Sequence, residues 1–213
     1  MTDKALFITL EGIDGSGKST QAKNIAKWLE NFSGRKTICT FEPGGWEGGR
    51  TLREFILGSK DYNSLSELLL FLADRSEHAE KVISPALNSG NNIICERYND
   101  STLAYQSGGH KLDINHVKRI IRACNFPEPD IKILLDITPE LALERINSRK
   151  NINDKFEAEG LALMQRVADS YRELAKSQHE NFIVINCDKL SEHEVFHEII
   201  SQLEAVIKQC RSR

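Results

Sequence analysis

No apolar run in the chain approaches the roughly 20 residues of a membrane-spanning helix. There is no basic excess either. Over 213 residues, 28 Lys and Arg stand against 31 Asp and Glu, for a net charge of -3. That balance supplies no basic face for a long nucleic acid, although a few well-placed cations suffice for a mononucleotide. The five cysteines (Cys39, Cys95, Cys124, Cys187 and Cys210) are odd in number and widely spaced, with no C-x-x-C pair. That pattern fits reduced thiols acting as small hydrophobes. The opening Met1-Thr2-Asp3-Lys4 lacks the charged-then-apolar layout of a signal peptide. The expected location is therefore the cytoplasm. Internal repeats, low-complexity tracts and evident linkers are also missing, so one domain over residues 1–213 is expected.

What is present is a regular alternation. Short apolar runs recur at Leu6 to Leu10, Thr37 to Phe41, Asn92 to Cys95, Ile131 to Leu135 and Phe182 to Ile185, with helical patterns between them. This predicts an α/β fold: a five-stranded parallel sheet flanked by helices on both faces, with right-handed crossovers. Ligands of such sheets bind beyond the carboxyl ends of the strands. Ser64 and Glu67 have capping-box spacing ahead of Leu68. Thr138-Pro139 places a cap before a proline at the first helical position. Asn99 or Asp100 can cap a helix running through Gln106. The segment Arg145 to Gly160, RINSRKNINDKFEAEG, is polar and dense in charge. It suits a solvated turn or a lid, and composition alone favours the turn.

Gly12-Ile13-Asp14-Gly15-Ser16-Gly17-Lys18-Ser19 fits G-x-x-x-x-G-K-[ST], with a strand before it and a helix from Ser19 to about Leu29 after it. Such a loop turns backbone N–H groups onto phosphate oxygens, helped by the positive end of the helix. Lys18 then reaches the β- and γ-phosphates, and the Ser19 hydroxyl can ligate Mg²⁺. The motif is a strong signal for a nucleoside triphosphate and a weak one for the reaction.

A second set of residues bears on an acceptor. Glu42-Pro43-Gly44-Gly45 follows the second strand, with Arg53 beyond it. Phe71 and Arg75 are four apart, so they share a helix face. Leu65, Leu68, Leu69 and Leu72 are expected to form the opposite, core-facing stripe. Phe71 can stack on a flat base while Arg75 donates to a carbonyl on its edge. Thr102 and Gln106 are likewise four apart, and Gln106 can match a pyrimidine edge. Arg97 ends the third strand, where its fork suits phosphate oxygens. Each of these residues alone has an ordinary explanation in a core or on a surface. Their placement around one phosphate loop is what favours a second nucleotide.

Together, GIDGSGKST, EPGG, LLLFLADR, ERYNDSTLAYQSGG, RINSRKNINDKFEAEG and IKILLDITPE resemble the bacterial thymidylate kinases, over nearly the whole chain. The resemblance implies transfer of the γ-phosphate of ATP to dTMP, on the route to dTTP. It also implies a homodimer through helices flanking the sheet and a lid at about 145–160. Gly12 to Thr20 would cradle ATP, with Arg149 stacked on adenine. Phe71 would lie on thymine, Arg75 would bond its O4 edge, and Thr102 and Gln106 would face the other edge atoms. Tyr105 would lie near C2′ of the sugar and Asp14 would bond the 3′-hydroxyl. Arg97 and Arg53 would hold the acceptor phosphate beside Glu42. Ser19 and Glu96 would serve the Mg²⁺.

The chain departs from that family at several positions. Phe41 and Trp46 stand where most members have arginine and threonine. Glu96 stands for aspartate, and Lys155 for the arginine of D-R-[FIY]-E. Gly15 stands where some members carry a catalytic arginine, which moves the expected catalytic cation to Arg149, Lys150 or Lys155. Two rivals remain at this stage: a kinase for another mononucleotide such as dUMP or dGMP, and a nucleotide-binding switch without turnover.

Overall fold

The computed structural model describes residues 4–58, 62–148, 160–178 and 182–210, with the side chains of 209 and 210 excepted. Five strands, β1 (Phe7–Glu11), β2 (Thr37–Phe41), β3 (Asn92–Glu96), β4 (Ile131–Asp136) and β5 (Phe182–Asn186), pair in parallel in the order β2-β3-β1-β4-β5. All five apolar runs read from the sequence form strands: β2 as expected, β3, β4 and β5 one residue longer at the carboxyl end, and β1 displaced by one, from Leu6–Leu10 to Phe7–Glu11. β1, β3 and β4 are almost wholly buried, whereas the two edge strands keep partly exposed residues. Continuous apolar composition therefore marks the middle of the sheet.

The chain leaves β1 toward β2, returns through β3, then crosses to β4 and β5. β1 is thus the strand from which the connections diverge, where a doubly wound sheet opens a crevice. Helix α1 (Lys18–Ser33) follows β1 directly, and Gly34 closes it in the left-handed conformation. Helices α2 (Gly49–Gly58) and α3 (Ser64–His78) lie between β2 and β3. A π-helical turn, Ala79–Ile83, then leads into α4 (Ser84–Asn88). After β3 come α5 (Asn99–Thr102), a second π-helical stretch, Leu103–Gly109, and α6 (Ile114–Cys124). Helices α7 (Pro139–Asn147), α8 (Leu161–Ser177) and α9 (Glu192–Cys210) follow among the described residues. The core gathers Ile8, Leu10, Ile94, Ile133 and Leu135 of the sheet against Ile25 and Leu29 of α1 and Val167 and Leu174 of α8.

Several local expectations need correction. On α3, Leu68 and Leu72 are buried, but Leu65 and Leu69 are 47% and 52% exposed. The interior stripe is instead shared with Glu67, Asp74, Arg75 and His78, all buried. Those polar groups tolerate burial because each has partners. The cap of α3 is Asn63, whose side chain accepts from the Ser66 N–H, so Ser64 is already helical. Neither Asn99 nor Asp100 caps α5, which begins at Asn99 after Tyr98. Thr138 does precede Pro139 at the start of α7, without a side-chain capping bond. Cys95 and Cys187 are buried and free, whereas Cys39 and Cys124 are exposed.

Candidate active site

The phosphate loop is shaped by close approach. At Gly12, φ is +138°, and a Cβ would lie 2.6 Å from the Leu135 carbonyl oxygen. At Gly15, φ is +82°, and a Cβ would lie 2.5 Å from the Ala142 carbonyl oxygen of α7. This backbone therefore has no room for a side chain at position 15. Ile13 and Ser16 are buried beneath the loop, and Gly17 supplies the turn into α1. The Thr20 N–H bonds back to the Gly17 carbonyl at 3.1 Å, starting the helix.

Lys18 folds back into the loop, where its Nζ donates to the Ile13 carbonyl at 2.9 Å and lies 3.9 Å from Asp14 Oδ1. Burial, and after it the charge of Arg97, brings its pKa down from 10.5 to about 8. Burial pushes the Asp14 carboxyl up, but the charges of Arg97 and Lys18 outweigh it and hold the group below its usual value. Ser19 Oγ donates to Glu96 Oε2 at 2.6 Å. A hydroxyl from the first turn of α1 and a carboxylate from the end of β3 thus converge. They are hard oxygen ligands of the kind Mg²⁺ takes in small number while keeping its waters. The two residues fit the ion.

Arg97 stands just past β3 with φ +67°, an uncommon conformation for a residue with a side chain. Its N–H donates to the Leu10 carbonyl at 2.9 Å, which anchors the turn to β1. From there Nη1 reaches the Gly12 carbonyl at 3.3 Å, while Nη2 donates to Asp14 Oδ1 at 2.5 Å and to the Tyr105 hydroxyl at 3.2 Å. The guanidinium also lies 5.0 Å from the Tyr105 ring centroid. One arginine therefore links the phosphate loop to the second π-helical stretch.

A cavity of about 530 Å³ opens beside these groups, lined by Asp14, Ser19, Glu96 and Arg97 at one end and by Phe71, Arg75, Thr102, Tyr105 and Gln106 at the other. Glu42 and Arg53 are also in its wall. Arg75, only 2% exposed, is held from four sides. Its Nε donates to Glu42 Oε2 at 2.7 Å, Nη1 to Asn99 Oδ1 at 3.2 Å and Thr102 Oγ1 at 2.8 Å, and Nη2 to the Tyr98 carbonyl at 3.0 Å. A guanidinium has five N–H donors, so these four bonds leave one, on Nη2, for a ligand. Gln106 donates through Nε2 to Glu67 at 3.0 Å. Phe71 is half-buried at the cavity wall. Thr102 and Gln106 reach one cavity although the helix changes from α to π type between them, a local widening often found where side chains are aimed at a ligand.

Supporting residues escaped the reading of the sequence. His78 is fully buried and bridges Glu42 Oε1 at 2.8 Å and Thr40 Oγ1 at 2.7 Å. It lies one turn after Asp74 and Arg75 on α3, a spacing that could have flagged it. Glu42, His78 and Cys95 offer potential metal ligands within 4.8 Å of one another. Glu42, however, uses one oxygen for Arg75 and the other for His78, so Glu42 and His78 together orient Arg75. Glu11 is a second case: buried at the end of β1, it accepts from Ser101 Oγ at 2.6 Å and from the Tyr171 hydroxyl at 3.3 Å. Burial, and after it the charge of Asp100, raises its pKa well above the usual carboxylate range. Arg149, Lys150 and Lys155 lie outside the described residues.

A family model described as thymidylate kinase matches residues 10–199. A thymidylate kinase of Prochlorococcus marinus (strain AS9601) is 43% identical over 185 residues, covering 83% of this chain and 86% of that protein. One from Maridesulfovibrio salexigens is 39% identical over 214 residues, covering 95% and 97%. The crystal structure of thymidylate kinase from Ehrlichia chaffeensis superposes with a TM-score of 0.77 at 32% identity, over 94% of this chain and 99% of that one. With a matching fold and similarity spanning nearly all residues, the chain belongs to the thymidylate kinase family.

Proposed function

We propose that this chain transfers the γ-phosphoryl group of ATP to the 5′-phosphate of dTMP, giving ADP and dTDP. The observation that carries the reading is Arg97, whose bonds to Gly12, Asp14 and Tyr105 put one cation between the phosphate loop and the cavity. In this reading thymine lies against Phe71. Arg75 turns its remaining N–H to O4 of the base. Because Gln106 Nε2 donates to Glu67, its Oε1 is the atom available to accept from N3–H. Thr102 Oγ1 accepts from Arg75, which leaves its own O–H as a donor to the base edge or to water. Tyr105 packs near C2′ of the sugar and disfavours a ribose hydroxyl there. Asp14 meets the 3′-hydroxyl.

The reaction needs no strong general base, because the attacking oxygen is already a phosphate anion. That oxygen forms the new bond to the γ-phosphorus as the bond from the γ-phosphorus to the β–γ bridging oxygen breaks, and ADP leaves with the electron pair. Lys18 neutralises charge on the β- and γ-phosphates, and Arg97 with Arg53 holds the acceptor phosphate in line. Glu42 acts by keeping Arg75 in place. Bound Mg²⁺ would screen the phosphate charges, held by Ser19 and, through water, Glu96. Arg145 to Asn147 belong to α7, with Ile146 in the core, so the expected lid begins later than residue 145. In this reading the stretch after α7 would close over ATP to exclude water, with Arg149 on adenine and a lid cation, Arg149, Lys150 or Lys155, on the transferred group.

The protein acts as a homodimer in this reading. Leu65, Leu69 and Ala73 recur every four residues on α3 and are all exposed, giving an apolar stripe for a second copy of the same helix. The function is tested by measuring ADP release with each deoxy- and ribonucleoside monophosphate. dTMP is expected among the best acceptors. A clear preference for dGMP or dUMP would overturn the assignment, and absence of turnover with every acceptor would favour a switch.

A further inference from the structure

Phe41 ends β2 and is 43% exposed, so burial in the core does not account for it. The guanidinium carbon of Arg53 lies 5.4 Å from the centroid of that ring, inside the roughly 6 Å range of a cation–π contact. Arg53 Nη1 also donates to the Pro43 carbonyl at 2.7 Å. Its stem runs against Gly44, where a Cβ would come within 2.8 Å of the Arg53 Cβ. The head group is therefore held by a ring face, a carbonyl and a close-packed stem. Of five guanidinium donors, the Pro43 carbonyl takes one, and four have no protein acceptor among the described residues. Phe41, Pro43 and Arg53 line the same cavity as Arg97 and Tyr105.

We infer that Phe41 is a positioning residue for Arg53, its ring face holding the guanidinium ready for the acceptor phosphate. The inference rests on the reading of Arg53 as a ligand of that phosphate. A ring suits this task because it stabilises the cation without taking any of its N–H groups. A carboxylate at the same place would consume donors and repel the phosphate. Arginine is long and loses much rotamer freedom when it binds. Restraint by the ring before the ligand arrives removes part of that cost from binding.

The test titrates dTMP and thymidine into the wild type, F41L, F41Y, R53A and the F41L/R53A double variant by calorimetry, with steady-state kinetics alongside. F41L should weaken dTMP about two- to fivefold, the factor a partly exposed cation–π contact is worth. Thymidine, which lacks the phosphate, should bind F41L as it binds the wild type. F41Y should restore dTMP affinity, and in F41L the KM for dTMP should rise with kcat little changed. In the R53A background the Phe41 change should have no further effect. An equal loss in that background, or an equal loss of thymidine binding, would overturn the inference and leave the role of Arg53 intact. If R53A binds dTMP as tightly as the wild type, the reading of Arg53 falls and this inference with it.

Discussion

At the residue scale, two cations of the site are held by different means. Arg97 is placed by its backbone, with a left-handed φ and an N–H tied to β1. Arg97→Ala should retain ATP binding while acceptor phosphorylation falls by about two to three orders of magnitude, the scale on which a preorganised charge-stabilising group acts. Equilibrium ATP titration together with dTDP formation rates checks both halves. Lys18 is governed by its surroundings. Its pKa near 8 in the free protein means that it is largely neutral at pH 9. Phosphate stabilises the charged form, so ATP binding must raise this pKa. Above pH 8, therefore, binding takes up a proton, and ATP affinity falls as pH rises. Calorimetry at pH 9 in buffers of different ionisation enthalpy should record uptake approaching one proton per ATP, and Lys18→Arg should abolish it.

At the element scale, α3 shows how partners override pattern. Leucines spaced three and four apart point to an apolar face, yet half of them face outward. Glu67, Asp74, Arg75 and His78 take the interior through bonds to residues far away in sequence. Spacing along one helix carries no information about such distant partners. The start of α3 gives a direct check. Asn63→Ala should lower stability by about 1 kcal/mol in a denaturant titration, the usual cost of a lost N-cap. Ser64→Ala, one residue into the helix, should change it little.

At the scale of the whole molecule, the exposed stripe of α3 bears on assembly. Leu65 and Leu69 remain about half exposed, and fully burying a leucine contributes about 1.5–3 kcal/mol, of which covering the remaining half is a part. If the proposed homodimer packs through this stripe, Leu69→Lys should shift it to monomer mass in sedimentation velocity, with the fold unchanged by circular dichroism. Retention of the dimer would place the contact elsewhere. The same scale explains the cavity. Its wall draws on the phosphate loop, β2, α2, α3, the end of β3 and the second π-helical stretch, which meet only when the sheet orders its strands β2-β3-β1-β4-β5.

The sequence by itself determined the five parallel strands, the phosphate loop and the identity of the residues that surround it, because strand composition and loop chemistry are local. The tertiary structure decided how those residues are used. It gave Glu42 to Arg75 and His78, left Arg75 a single free donor, and laid Arg53 on the ring of Phe41. It also closed position 15 against α7. Each of these is a contact between segments remote along the chain. Its geometry follows from how the helices pack on the sheet, and no short motif encodes that.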